Sequence, residues 1–498
     1  MFDLNLAFSR KFLLWLQRLG LQLESIIYHP LMNTIDVLHS NIYHFEFSNT
    51  YADENAYSAL EHFNFERLKS LSILGPMSAF SELIAIIFKS PLPFFEHLRL
   101  CCRFVTTETL ECVLNSAYAM KKLFLQPLSD SFVDLNSLSP YFHDLHFLFI
   151  NNISNTIQLD DSALMAIANQ CPDLTTLILI NCQGTSHISV QYLLDHTPLE
   201  TLGINNESHL CDWNMPQMDE IRISESLQSL SLHYCDSITS RFLDQVLMKG
   251  TSLHTLKLYC CSSIENYCSV FQFTALCSLH LHCCPNLNDD SFSIFTPENH
   301  SLLHLKLSYC DSLTDIGFLY IMNRFPSLKS ATLKECRNIT SMSILQITLI
   351  CKELKKLHLC CMKVPDLHHL HPHNSNFLLI QHLKIFNCAH ISYSDLSRLI
   401  KKLRLLRSLK IRRSSDSFRR HDFLKCLAEE CPYLQHFLLH DEHSKLLPRE
   451  VMFIIGNLEN LVSLSILMKE FVSEEKLHEA KLKYKSLNPV LDLDMHFF

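Results

Sequence analysis

The chain has 498 residues, of which 48% are apolar, so it carries enough apolar material for a large buried interior. Only 7 residues are glycine, and glycine-rich fingerprints of nucleotide-binding loops are absent. The formal net charge of -9 argues against nucleic-acid binding by the chain as a whole, although a local basic strip is compatible with it.

The N-terminal residues give no indication of secretion or membrane insertion. Arg10 and Lys11 precede a short apolar run at 12–16, but Gln17 and Arg18 interrupt it and no small-residue cleavage site follows. All apolar stretches are far shorter than a membrane span. We therefore expect no membrane or nucleic-acid partner and a cytoplasmic or nuclear location, or both.

A leucine pattern repeats along the chain from residue 42 to residue 470. Leu302, Leu305 and Leu307 precede Cys310, and the same spacing recurs in the neighbouring units. If the second apolar residue marks each unit, sixteen steps cover 419 residues, a mean of about 26, which lies in the range of leucine-rich repeats. The seventeen markers are Phe45, Leu71, Leu98, Leu123, Leu148, Leu177, Leu202, Leu230, Leu256, Leu279, Leu305, Ala331, Leu357, Leu383, Leu409, Phe437 and Leu464.

Each repeat predicts one strand and one returning segment. The leucines of the L-x-L run point inward, and the next stretch, such as 163–168, has apolar residues at helical spacing before Cys171 and Pro172 end it. We predict an α/β leucine-rich-repeat solenoid, a horseshoe with a curved parallel sheet on its concave face and helices on its convex face. A unit around Ile26 is a weaker candidate for an additional repeat.

The 21 cysteines recur at a fixed position after the strand in a chain without a secretion signal, which indicates reduced thiols. Adjacent residues of a strand point to opposite faces, so cysteine pairs are not convergent metal ligands. We expect structural cysteines, no metal and no cofactor. The pairs are Cys101-Cys102, Cys260-Cys261, Cys283-Cys284 and Cys360-Cys361.

The segment after several strands follows the pattern C-x-x-[IL]-[TSN], as at 235–239, 310–314 and 336–340. This pattern resembles the cysteine-containing repeats of F-box/leucine-rich-repeat proteins, which are substrate receptors of cullin-based ubiquitin ligases. The resemblance implies binding to a protein substrate, a Skp-type adaptor and a cullin, without catalysis. Residues 1–41 lack the Leu-Pro that usually opens an F-box, so we interpret them as a helical cap or an F-box remnant.

The strand residue that follows each marker should face away from the core and stack on its equivalent in the next repeat. We call this column in the later repeats the basic ladder, and no acidic residue interrupts it. An acidic or phosphorylated protein partner is one interpretation, and lysines that keep exposed strands soluble are the other. The ladder is Lys257, His280, Lys306, Thr332, His358, Lys384 and Lys410, and neighbouring outward positions add Lys334, Lys356, His382 and Arg412.

The same column in earlier repeats is apolar, with Phe124, Phe149, Ile178 and Gly203. That half of the groove is predicted to hold another part of the partner or to pack against another chain.

Three further segments attract attention. The histidines at 368–373 are dense enough to bind a metal adventitiously, but no partner ligand stands at suitable spacing, so a solvated loop is favoured. Basic residues at 401–420 suggest a nuclear-import or nucleic-acid patch, or a solvated helix face with a basic edge. Residues 471–498 are predicted to cap the solenoid, with a charged helix at 473–485 and a closing strand near 490–494.

These observations leave three functional hypotheses. The first is an F-box-like adaptor, and the second is a repeat-only scaffold or inhibitor that sequesters a partner through the same groove. The third is an enzyme or a GTPase-activating solenoid, for which no placed arginine or asparagine stands out. We expect a binding protein and not an enzyme.

Overall fold

The computed structural model describes residues 25–28, 43–48, 65–75, 80–182, 184–206, 224–236, 238–292, 298–362, 379–388, 391–413, 420–441, 448–468 and 492–497. The histidines at 368–373 and the expected helix at 473–485 lie outside these residues. The chain forms two compact units, Met1–Leu253 and His254–Phe498.

The first unit is built on a parallel sheet with the order β1-β2-β3-β4-β5-β7-β9-β10-β11. The short strands β6 and β8 pair separately with each other. The strands are Ser25–Tyr28 (β1), His44–Ser48 (β2), Ser70–Gly75 (β3), His97–Cys102 (β4), Lys122–Leu125 (β5), Val133–Asp134 (β6), Phe147–Asn151 (β7), Ile157–Gln158 (β8), Thr176–Ile180 (β9), Thr201–Asn205 (β10) and Ser229–His233 (β11).

Helices connect most of these strands. α4 shows why they form: Asp160 accepts a hydrogen bond from the Ala163 amide at 3.0 Å, and the helix buries Leu164 and Ile167. The helices are Phe80–Ile87 (α1), Thr107–Ser116 (α2), Leu135–Leu138 (α3), Asp161–Gln170 (α4), His187–His196 (α5) and Ser240–Lys249 (α6), with a 3-10 turn at Ser139–Tyr141.

The second unit has a parallel sheet in which every strand pairs with the next along the chain. Its strands are Thr255–Tyr259 (β12), Ser278–His282 (β13), His304–Ser308 (β14), Ser330–Lys334 (β15), Lys356–Cys360 (β16), His382–Phe386 (β17), Ser408–Arg413 (β18), His436–Asp441 (β19), Ser463–Met468 (β20) and Asp492–Phe497 (β21).

Its helices are Cys268–Gln272 (α7), Asp315–Arg324 (α8), Ser341–Ile350 (α9), Tyr393–Ile400 (α10), Arg420–Glu430 (α11) and Pro448–Asn457 (α12), with a 3-10 turn at Asp289–Phe292. The first two connections therefore contain the shortest helical segments described in this unit, a five-residue helix and a 3-10 turn. Within the described residues, all helices fall short of the length and apolar content that crossing a bilayer requires.

The strand pairing confirms the repeat that the sequence predicts. Leu256 pairs with Leu279, and Leu279 pairs in turn with Leu305. All seventeen markers lie in strands and are at most 3% exposed. The fold is the expected α/β leucine-rich-repeat solenoid, in which two inward columns of side chains, the markers and the residues two positions later, line the core side of each sheet. The weaker candidate at Ile26 lies in β1 and pairs with Phe45.

Helix starts are tied to the preceding repeat. Asp315, in the first turn of α8, accepts hydrogen bonds from the Thr340 amide at 2.8 Å and the Thr340 hydroxyl at 2.6 Å. Asp289 does the same for Thr314, at 3.0 and 2.5 Å. A carboxylate of one repeat thus satisfies a free amide at the helix start of the next, in addition to the local hydroxyl cap.

The turn after the strand explains the recurrent cysteine. In eight repeats the fourth residue after the marker has a left-handed backbone, with φ between 51° and 55°, and none of these residues is glycine. The residue that follows is a buried cysteine in seven of the eight. Its thiol donates to the carbonyl two residues earlier at 3.3 to 3.7 Å, as Cys235 does to His233 and Cys310 to Ser308.

A candidate binding surface on the second unit

The basic ladder lies in one column of the second sheet. Lys257 pairs with His280, which pairs with Lys306, and the column continues through Thr332. His358, Lys384 and Lys410 follow on β16, β17 and β18. These side chains alternate with the buried leucines, so they occupy the sheet face opposite to the core, which we call the open face.

The open face carries positive charge without acidic residues. Across β12 to β18 its three outward columns contain no aspartate or glutamate. Among the described residues, no carboxylate lies within ion-pair distance of Lys257, Lys306, Lys384 or Lys410. The ammonium groups of the ladder are therefore available to an external anion.

Histidines of the ladder do not contribute charge near neutral pH. Burial, followed by the charges of Lys257 and Lys306, lowers the pKa of His280 to about 4. Burial and neighbouring lysines also lower the pKa of His358. The lysines therefore carry the positive charge. One ring nitrogen of each imidazole bonds within the sheet, that of His280 with the Ser278 hydroxyl at 3.4 Å and that of His358 with the Thr332 hydroxyl at 3.5 Å.

A second outward column, two residues further along each strand, contains Lys334 and Arg412 in register with Tyr259, His282 and Phe386. Three lysines of the open face lie against aromatic rings. The distances from Nζ to ring centroid are 5.9 Å for Lys306 and Tyr259, 5.2 Å for Lys334 and Tyr309, and 4.2 Å for Lys384 and Phe386.

Sequence reasoning missed the aromatic residues of this surface. Tyr259 and His282 stack with ring centroids 5.2 Å apart, and His282 meets Tyr309 edge to face at 5.0 Å. Tyr309 is one of the left-handed residues at a strand end, so it does not follow the alternation of the strand. Its position 26 residues after Cys283, another left-handed residue, is the signal that could have identified it.

The first unit has a different outward column. Arg99 pairs with Phe124, and Phe149, Ile178 and Gly203 continue the column. The rings of Phe124 and Phe149 are stacked with centroids 3.8 Å apart, and the Arg99 guanidinium lies 4.8 Å from the Phe124 ring. The apolar residues that the sequence predicts for this column thus lie side by side, next to Arg99.

The basic segment at 401–420 is only partly described, because residues 414–419 lie outside the structure's described part. Lys401 and Arg407 are exposed, and Lys402 is half-buried. The Arg404 Nε atom lies 3.9 Å from Glu430. Lys410 and Arg412 belong instead to the open face of β18.

Burial of the two thiols differs within three of the four cysteine pairs. Cys102, Cys261 and Cys284 are buried, whereas Cys101 and Cys260 are half-buried. Burial raises the pKa of the Cys101, Cys102 and Cys360 thiols, which disfavours the thiolate that metal binding needs. Among the described residues, no group of three or more His, Cys, Asp or Glu side chains is placed to hold an ion.

The repeat architecture and its open sheet face are those of a leucine-rich-repeat protein. Comparison of the sequence with family models and with curated proteins gives no match.

Solved structures with similar folds include TLR13 in its complex with ssRNA13, with a TM-score of 0.46 and 16% identity over 96% of this chain and 73% of that chain. Rad7 from the yeast complex with Elc1 has a TM-score of 0.34 and 14% identity over 92% and 81%. A leucine-rich-repeat protein of Leptospira interrogans has a TM-score of 0.34 and 15% identity over 89% and 92%.

Proposed function

We propose that this chain is a protein-binding module whose open face on the second unit binds an acidic segment of another protein. The observation that carries the proposal is the register of the ladder, which aligns four lysines in one column without a carboxylate partner in the described residues. An acidic partner would form charge-assisted hydrogen bonds with these ammonium groups.

Preorganisation supports the same interpretation. Lys384 is held 4.2 Å from the Phe386 ring, so less of its side-chain freedom is lost when an anion binds. The strands beneath the ladder are fixed by continuous pairing about 4.8 Å apart, so the four lysines stand at fixed intervals of two, three and one strands along the column. Such a row favours an extended acidic segment that crosses several strands.

The finer proposal is that the partner is a substrate for ubiquitination and that the chain acts as the substrate-recognition subunit of an SCF-type cullin ubiquitin ligase. Its support is the resemblance of the cysteine-containing repeats to F-box/leucine-rich-repeat proteins. The alternative is a repeat-only scaffold or inhibitor that sequesters its partner through the same open face. Co-purification with a Skp-type adaptor and a cullin supports the first, and partner binding without either supports the second.

Charge reversal tests the binding surface. We expect the triple variant Lys306→Glu, Lys384→Glu and Lys410→Glu to lose roughly tenfold or more in affinity for acidic synthetic peptides on an array, because attraction becomes repulsion. The loss should be larger at low ionic strength, where screening is weak.

The matched control reverses Lys352, Lys401 and Lys425, which are exposed and lie outside the outward columns. This control makes the same change in net charge and should bind the acidic peptides almost as well as the parent. Equal affinity of the parent and the ladder variant at low ionic strength would contradict the proposal.

A further inference from the structure

Five side chains at one end of strands β12 to β15 form a compact group, which we call the aromatic-lysine cluster: Tyr259, His282, Lys306, Tyr309 and Lys334. The His282 ring lies between the two tyrosine rings, at centroid distances of 5.2 and 5.0 Å. The Lys306 ammonium lies 5.9 Å from one tyrosine ring and the Lys334 ammonium 5.2 Å from the other. The cluster therefore holds one ammonium group against each of the two tyrosine rings that contact the imidazole.

The charges within the cluster are not neutralised by the protein. Burial, and then the charges of Lys334 and Lys306, lowers the pKa of His282, so the imidazole is neutral at neutral pH. In the described part of the chain, neither lysine has a carboxylate within ion-pair distance. Glu335 is adjacent in sequence, but its carboxylate bonds with the Cys361 thiol.

A buried hydroxyl lies at the base of the cluster. Ser308 pairs with His282 on one side and Lys334 on the other, and its residue is 0% exposed. Its Oγ atom has no hydrogen-bond partner in the described structure. A buried polar atom without a partner costs about 1–3 kcal/mol, so this hydroxyl is a donor that a ligand oxygen would satisfy.

We propose that the aromatic-lysine cluster binds a phosphate monoester carried by a side chain of the acidic partner. The proposal rests on the proposed function and names the chemistry of one position in the partner. A phosphate monoester carries about two negative charges at neutral pH and three acceptor oxygens. It therefore matches two ammonium groups together with the Ser308 hydroxyl and a neutral imidazole, whereas a carboxylate neutralises only one cation.

Access to the Ser308 hydroxyl involves the lysine side chains. Ser308 is 0% exposed and lies between the longer side chains of His282 and Lys334 in its column, so a ligand oxygen reaches its hydroxyl only when neighbouring side chains move. When the two ammonium groups turn from the tyrosine rings toward a phosphate, the cation-π contacts are exchanged for charge-assisted hydrogen bonds, which are stronger. The tyrosine rings remain as walls beside the bound group.

The test uses the full chain and three degenerate peptide sets that share an acidic background and carry phosphoserine, glutamate or serine at the central position. We expect the phosphoserine set to bind about tenfold more tightly than the glutamate set. In the double variant Lys306→Ala and Lys334→Ala this preference should disappear. Ser308→Ala should reduce it about threefold, since one neutral hydrogen bond is lost.

The matched control is Lys384→Ala with Lys410→Ala, which removes two other lysines of the open face. It should weaken binding of all acidic peptides to a similar degree and retain the phosphoserine preference. Equal affinity for the phosphoserine and glutamate sets, or equal loss of preference in both double variants, overturns the inference while leaving acidic binding intact. Failure of all three sets to bind instead contradicts the proposed function.

Discussion

At the scale of single residues, the recurrent cysteine shows what a sequence pattern can and cannot specify. The period predicts that the cysteine after each strand is buried, and Cys261, Cys284 and Cys310 are all 0% exposed. The sequence does not reveal the left-handed residue before each of them, because asparagine, tyrosine, cysteine and glutamate all occupy that position. Only the structure shows that the thiol donates a hydrogen bond to the carbonyl two residues earlier.

The lowered pKa of His280 should make the stability of the protein sensitive to acid. This pKa is lowered from 6.5 to about 4, so the unfolded chain takes up a proton below pH 6.5 while the folded chain does not. The stability that the neutral His280 imidazole contributes is therefore fully present above pH 6.5 and is lost as the pH falls toward 4. We expect the decrease in the free energy of unfolding over this window to be smaller in His280→Gln, as measured by urea denaturation at several pH values.

The control for this experiment is His254→Gln, which changes an exposed histidine of the same unit. Its pH dependence should match that of the parent. A parent-like slope in His280→Gln would show that this imidazole is not responsible for the acid sensitivity.

At the scale of elements, the sequence predicts the positions of the strands more accurately than the lengths of the helices. Every marker lies in a strand, because alternation and a fixed period leave one register that buries the leucines. The helices vary: α8 has ten residues, whereas α7 has five. The only sequence signal for the short helix is the step from Leu256 to Leu279, which is shorter than 26.

A buried arginine of α8 contacts the end of the short helix α7. Arg324, at the end of α8, is 8% exposed and donates from Nε to the Phe271 carbonyl at 3.1 Å and from Nη2 to the Gln272 carbonyl at 3.3 Å. These carbonyls lie at the end of α7, about two repeats earlier, where the helix leaves them without intrahelical partners. This contact between distant repeats cannot be read from periodicity.

Replacement of Arg324 by methionine should destabilise the protein by about 1–3 kcal/mol, since the buried Phe271 carbonyl and the Gln272 carbonyl lose their donor while the apolar stem is kept. Urea denaturation measures the change. Arg337→Met, at an exposed arginine of the next repeat, should change stability little. Similar stabilities of the two variants would show that the Arg324 hydrogen bonds contribute nothing.

At the scale of the molecule, each unit is a stack of repeats, and the sequence predicts this stack because one period accounts for its core. It also predicts the basic ladder, since residues one period apart are neighbours in the sheet. The aromatic-lysine cluster was not predictable in the same way. Lys306 on β14 reaches Tyr259 on β12, and such a diagonal contact depends on side-chain conformation rather than on register.

Because the repeats are stacked, we expect a destabilising substitution in one repeat to destabilise the neighbouring repeats as well. Leu305→Asp places a carboxylate at a position that is 2% exposed, and we expect it to lower stability by more than about 3 kcal/mol. Hydrogen exchange should show lost protection in β13, β14 and β15, because each repeat is stabilised by the repeats beside it.

The comparison variant is His304→Asp, at the exposed neighbouring position of the same strand. It introduces the same carboxylate outside the core and should preserve the protection of all three strands. Loss of protection confined to β14 in Leu305→Asp would contradict cooperative stacking.

The turn that closes each strand also affects how recognition can diversify. Its left-handed residue needs no glycine and has been filled by four kinds of side chain, while the thiol beneath keeps the same bond. The side chains of these left-handed residues at the end of the sheet therefore differ from repeat to repeat while the buried thiol bonds stay the same. Substitution at these positions can change the binding specificity, as substitution in an antibody binding loop does. The left-handed backbone costs about 1–2 kcal/mol, and this cost is already present in the fold.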